Sequence, residues 1–166
     1  MPRCAPSKWL TSYGPSDKGF QVSSTRNMTR GRSIARKCAM QVLYQWQLTQ
    51  QSADELLKQY IGADELAGAD VDYFSELVRE CTARQPALDL VIAEYADRPT
   101  EQLDLVEHAI LLIGMYELCS RLDVPYRVVI NEGVELSKRF GATDGHRYIN
   151  ALLDKAGRAR RTAEQG

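Results

Sequence analysis

Five cations, Arg26, Arg30, Arg32, Arg36 and Lys37, cluster early in the chain with no acid among them. Gln41, Tyr44, Gln45 and Trp46 follow closely. Arginines can hold a phosphate backbone while aromatic rings and amide groups take bases splayed out of the stack, which is how single-stranded RNA is recognised. If a helix starts among these cations, its free amides and positive dipole end add to a phosphate site. Two readings stay open from the residues alone: an RNA site, or a solvated basic segment. Tyr44 likewise reads as a stacking platform or as core packing with an exposed hydroxyl, and Trp46 falls on the apolar stripe.

Catalytic patterns are missing. There is no phosphate loop of the GxxxxGK[ST] type, no GxGxxG turn, no HExxH and no GxSxG elbow. His108 and His146 lie in different predicted helices with no nucleophile beside either, and His146 reads equally as an RNA contact or a surface histidine. Cys4, Cys38, Cys81 and Cys119 are too far apart for a zinc site and read as reduced thiols in a cytoplasmic protein. No cofactor is expected. The acid pairs Asp64/Glu65 and Glu101/Asp104 read as solvated faces.

The net charge of −1 hides an asymmetry. Residues 1–52 carry eight Lys/Arg against one acid, residues 53–107 four against fourteen, and residues 121–166 nine against six. Basic ends around an acidic middle suit two partners, a polyanion and a cationic protein, although a patchy ordinary surface would look the same. No run of about 18 apolar residues exists, so no membrane span is expected.

The elements that position these residues are helical. Residues 1–29, rich in Ser, Gly and Pro, read as a disordered leader, with Met28 a candidate initiation site. Residues 30–157 read as one helical domain, with subdomains of about 30–98 and 99–157. Ala35, Cys38, Ala39, Val42, Leu43 and Trp46 recur at helical steps behind Ser33, a candidate cap. Ser52 and Glu55 form a capping box, and Asp70 precedes another helix. Pro86 kinks that helix or opens a new segment. Thr100 is expected to cap a long helix apolar on nearly all sides, the most buried element. Pro125 suits the start of the next helix and Gly141 a left-handed position at its end. A last helix starts at Thr143 or Asp144 and stops at Gly157, before a basic tail at 158–166. The expected fold is all-α, about seven helices in two packed bundles.

Four segments resemble the NusB family in order and spacing: ARKCAMQVLYQWQ at 35–47, VEHAILLIGMYEL at 106–118, DVPYRVVINEGVELSKRFG at 123–141 and TDGHRYINALLDK at 143–155. The resemblance covers roughly residues 30–157. It implies a NusB-like two-bundle fold and a non-enzymatic role in transcription antitermination. It also implies binding of boxA-type RNA of ribosomal transcripts together with the ribosomal protein NusE, within an RNA polymerase antitermination complex. Carried over by position, the RNA-facing residues are Arg30, Arg32, Arg36, Lys37, Gln41 and Tyr44, and then Lys138, Arg139, Phe140, Asp144, His146 and Arg147. The partner-facing residues are Arg98, Glu101, Glu107 and Tyr116, with Glu107 the foremost contact. Asn131 and Glu132 read as helix-packing residues. Ser33 and Ile34 interrupt the denser arginine run of some members, which leaves open a protein-interaction module without RNA binding. A relation to the helical module of RNA cytosine methyltransferases is a further alternative. Members occur as monomers or homodimers, and a homodimer is open here.

Overall fold

The structure is a computed structural model and describes residues 24–165. Seven α-helices account for most of it: α1 Ser24–Thr49, α2 Ala53–Tyr60, α3 Val71–Ala83, α4 Gln85–Tyr95, α5 Leu105–Ser120, α6 Tyr126–Phe140 and α7 Gly145–Arg160. No strand occurs among the described residues. Helices α1, α2 and α3 pack together, and α5, α6 and α7 form a second bundle, with α1 and α3 lying against α5 at the junction. Helix α4 touches α3, α5 and α7. The expected all-α, two-bundle architecture is the one found.

Local chemistry explains the boundaries. The Glu55 amide donates to Ser52 Oγ at 3.2 Å and the Ser52 amide to Glu55 Oε2 at 3.0 Å, closing the capping box of α2. Asp70 caps α3 by accepting from the Tyr73 amide at 3.0 Å. Pro86 stands in the first turn of α4, where its missing N–H costs nothing, so it opens a new helix. Helix α5 is buried without interruption from Ala109 to Leu118. Gly114 and Gly133 make room for α7, since a Cβ on either would come within 2.8–2.9 Å of Leu153. Leu153 thereby locks α5, α6 and α7 at close range.

Several expected boundaries move. Helix α1 starts at Ser24, so residues 24–29 belong to it and not to a leader, and residues 1–23 lie outside the described residues. The Thr29 and Ser33 hydroxyls bond back to carbonyls four residues earlier, which uses them inside the helix, so Ser33 is not its cap. Thr100 sits in a 3-10 turn, and Asp104 caps α5 by accepting from the Glu107 amide at 2.8 Å. Gly141 has φ −87°; the left-handed residue is Asp144, at φ 63°.

The C-terminal end departs most. Gly157 lies inside α7 because a Cβ there would fall 2.6 Å from the Tyr126 ring. Arg161, expected in a solvated tail, is only 4 % exposed. Its guanidinium donates to the carbonyls of Leu118, Val124, Glu117 and Arg121 at 2.8–3.0 Å and pairs with Glu164. The Glu117 and Arg121 carbonyls also accept from the Arg121 and Val124 amides, at 3.0 Å each, so the planar five-donor group adds a second bond to these two while also bonding the Leu118 and Val124 carbonyls.

Candidate nucleic-acid interface

Arg30, Lys37 and Tyr44 are seven residues apart on α1, so successive members are rotated by only about 20° and share one face over about 21 Å. Arg30 is exposed, while Lys37 and Tyr44 are half-buried. The stripe ends at an open depression of about 320 Å³. Tyr44 and Phe140 line it together with Asp104, Leu105 and Val106 around the start of α5 and Gly141 and Ala142 after α6. Two regions almost a hundred residues apart in sequence thus converge on one mostly apolar hollow that holds two aromatic residues and one acid, Asp104.

Cations surround the Phe140 side. Lys138 and Arg139 are exposed in the last turn of α6. The Arg139 guanidinium lies 5.1 Å from the Phe140 ring centre. Lys138 makes only a solvent-exposed contact with Glu135, at 3.4 Å. Asp144 and Arg147 are exposed at the start of α7 and 3.7 Å apart, with His146 half-buried between them. Aromatic faces ringed by guanidinium and ammonium groups can stack bases and hold phosphates.

Arg36 corrects the sequence reading. It is 2 % exposed, and its Nε donates to Glu117 Oε1 at 2.8 Å, with Glu132 Oε1 at 3.6 Å. Burial opposes its charge, but Glu117, Tyr73 and Glu132 together leave its pKa above the ordinary value. Gln41 is buried as well. Arg32 faces the same interior side, bonded to Asp123 at 3.2 Å, with its guanidinium 4.8 Å from the Tyr73 ring centre. The cause is the early start of α1: these residues are in the helix body, and positions 32 and 36 lie on its packed face. Among the described residues α1 already runs from Ser24, so Arg30, Arg32, Arg36 and Lys37 stand in the helix body and not in its first turn.

The partner-facing set also divides. Arg98 and Glu101 are exposed. Arg98 lies with its guanidinium 4.3 Å from the Tyr148 ring centre. Glu107 is 8 % exposed and lies under the start of α7, where a Cβ on Gly145 would be 3.3 Å from its Oε1. Burial, and then the charge of Asp104, raise its pKa. Tyr116, about 13 Å further along α5, is buried and donates to Glu76 at 2.6 Å. Burial, and then its bond to Glu76, push its hydroxyl pKa above the ordinary value. Arg98 and Glu107 gather around Tyr148; Tyr116 belongs to another surface, against α3.

Sequence reasoning missed the polar cluster that encloses Arg36. Glu117 accepts from Arg36 and from the Tyr73 hydroxyl. Glu132 accepts from Ser33 at 2.6 Å, in the interhelix role expected of it, whereas Asn131 is exposed. Arg121 bonds Glu76 at 2.7 Å and Asp123 at 2.9 and 3.0 Å. The signal was Glu117 itself: a carboxylate on a helix apolar all round must have a buried cationic partner.

The remaining reactive groups serve structure. His108 is held between Gln47 Oε1 at 2.7 Å and Asp89 Oδ1 at 2.6 Å, tying α5 to α1 and α4. Burial pushes the Cys38 thiol up to about 11 and Cys81 well above its ordinary value. Among the described residues no His, Cys, Asp and Glu group could hold a metal ion, and no helix is long and apolar enough to cross a membrane.

Comparison with known proteins identifies the family and the fold. Residues 33–158 match the model of the NusB family. A transcription antitermination protein NusB from Nitrosococcus oceani is 48 % identical over 137 residues, covering 82 % of this chain and 92 % of that one. A protein of the same name from Hydrogenovibrio crunogenus is 40 % identical over 156 residues, covering 94 % and 96 %. The crystal form of T. maritima NusB superposes with a TM-score of 0.67 at 22 % identity, covering 76 % of this chain and 90 % of that one, a likeness of fold.

Proposed function

The chain belongs to the NusB family, and from that premise we propose that it binds boxA-type single-stranded RNA jointly with the ribosomal protein NusE, in the cytoplasm, as part of an RNA polymerase antitermination complex. Its general role is transcription antitermination, and it is not an enzyme. The observation that carries the RNA reading is the convergence of Tyr44 and Phe140 on one depression at the end of the Arg30–Lys37–Tyr44 stripe. The hollow takes unstacked bases, while Arg30, Lys37, Lys138, Arg139 and Arg147 hold the backbone. Exposed acids between α2 and α5, Glu101 among them, offer charge complementary to a basic ribosomal protein.

The enclosure of Arg36 and the pairing of Arg32 thin the cations available on α1, and this favours weak RNA binding by the protein alone. The test is fluorescence anisotropy of a boxA-like RNA across a salt series, with and without NusE. Neutralising three or four phosphates on a single strand gives log K a slope of about −2 to −3 against log salt. NusE is expected to tighten binding. NusE binding with no RNA binding in any condition would replace this reading by a protein-interaction module.

A further inference from the structure

The depression shared by Tyr44 and Phe140 is lined by one charged side chain, Asp104, and its sign is wrong for a phosphate. Asp104 is exposed, at the residue just before α5. Its Oδ1 accepts from the Glu107 amide at 2.8 Å, which caps the helix and fixes the side chain. Its Oδ2 has no partner among the described residues. An ionised carboxylate accepts hydrogen bonds and never donates them. The rest of the lining is Leu105, Val106, Gly141, Ala142 and the two aromatic residues. In such surroundings the open oxygen gains most from a group that brings a donor and no negative charge.

We infer that Asp104 selects the base that enters this hollow, and that the base is guanine. The inference deepens the RNA reading and rests on it. Phosphate contacts position a strand, whereas contacts to base edges specify its sequence. An unstacked base in a single strand exposes its Watson–Crick edge. Guanine carries N1–H and the N2 amine side by side on that edge, two donors with no acceptor between them, so one carboxylate oxygen takes both. The only ring donor of uracil, N3–H, stands between two carbonyl oxygens that would face the acid. Cytosine and adenine each offer an amine beside a ring-nitrogen acceptor, one donor with a repulsive neighbour. The acid also keeps phosphates out of the hollow, which leaves the backbone to the exposed cations Lys138, Arg139 and Arg147.

Fluorescence anisotropy of the complex with NusE tests it. The probes are a boxA-like RNA and short oligouridines that carry one guanosine, inosine, cytidine or adenosine at the centre. The guanosine RNA is expected to bind about tenfold more tightly than oligouridine alone, within the range of a good base-edge contact. Inosine keeps N1–H but lacks the N2 amine, and should fall between them. Asp104→Asn retains a good helix cap, so the melting temperature should hold. With its carbonyl capping α5, its amide puts a donor where the acceptor stood, and the guanosine preference should disappear. The ratio between RNAs is the readout, because removing an acid strengthens the binding of any RNA. Equal binding of all the oligouridines, or a guanosine preference that survives Asp104→Asn, overturns the inference and leaves the RNA reading standing. A preference for cytidine or adenosine overturns the assignment of guanine. Binding of the boxA-like RNA without binding of the guanosine RNA also overturns the inference alone, whereas a complex that binds none of the RNAs ends the RNA reading and this inference with it.

Discussion

The Arg36 guanidinium donates from Nε to Glu117 Oε1 at 2.8 Å with the two side chains 3 % and 1 % exposed, so α1 is tied to the central helix by an ion pair sealed from water. Tyr73 completes the arrangement. Its hydroxyl donates to the same carboxylate, and the guanidiniums of Arg32, Arg36 and Arg121 lie 4.8, 5.4 and 4.8 Å from its ring centre. Burial pushes the Glu117 carboxyl upward, against the pull of Arg36 and Tyr73. The cluster fixes how α1 crosses α5, and thereby where Tyr44 meets Phe140.

Removing one member leaves the other charge buried and alone. Arg36→Ala is expected to destabilise the fold by about 3–5 kcal/mol in urea denaturation. The paired replacement Arg36→Met with Glu117→Leu should cost far less, because no charge is then stranded. Equal losses for the single and paired variants would show that the interaction is not an ion pair isolated from solvent.

The proposed RNA surface answers differently. Tyr44→Ala and Phe140→Ala should each weaken boxA-like RNA binding by about 1–3 kcal/mol, since each is expected to lose one stacked base; Phe140 also packs against the core, so its variant is expected to lower the melting temperature as well. Lys37→Ala should reduce the salt slope by about 0.7, one phosphate contact on a single strand. Anisotropy titrations at several salt concentrations read all three. A Phe140→Ala variant with undiminished affinity would remove the depression from the site.

Periodicity made the helices legible: the apolar steps of α1, the capping box at Ser52 and the all-round apolarity of α5 each stand in the structure where the pattern put them. What periodicity could not reveal was which arginine faces inward. Arg32 and Arg36 look like Arg30 and Lys37 until α1 is packed, because a long basic side chain can serve as surface charge or as the partner of a buried acid. Arg161 was hidden for a related reason. Its partners are backbone carbonyls of α5 and the following turn, about 40 residues distant, and carbonyls have no sequence. Gly157 misled because glycine marks helix ends and close approaches alike, and here the Tyr126 ring decides.

Asp123 gives the fold a defined sensitivity to acid. Arg121 donates to it twice and, with further help from Arg32, holds its carboxyl well below the usual carboxylate range. A depressed folded pKa contributes stability above the unfolded value of about 3.9, and that contribution is lost as pH falls through this value toward the folded one. Asp123→Asn should therefore cost about 1 kcal/mol or less at neutral pH, since the side chain is 51 % exposed. Its stability should converge on that of the wild type as pH falls from about 5 to 2. Denaturant midpoints measured along that range check it, and a difference that stays constant would assign the effect to packing.

Arg161 closes the C-terminal end of the bundle. Four carbonyls, from Glu117 and Leu118 in α5 and from Arg121 and Val124 after it, accept from one guanidinium. Glu164 holds that guanidinium and also accepts from the Tyr126 amide at 2.9 Å, which fastens the start of α6 to the same strap. Charged hydrogen bonds contribute about 1.5–3 kcal/mol each but not additively, so Arg161→Ala is expected to cost about 3–4 kcal/mol. Truncation after Arg160 should cost at least as much, because it removes Glu164 too. Arg161→Lys should recover only a minor part, as an ammonium has three donors and no planar fork with which to reach four carbonyls. Thermal unfolding ranks the three variants, and a lysine variant as stable as the wild type would mean that charge at the helix end matters here, not the geometry of the fork.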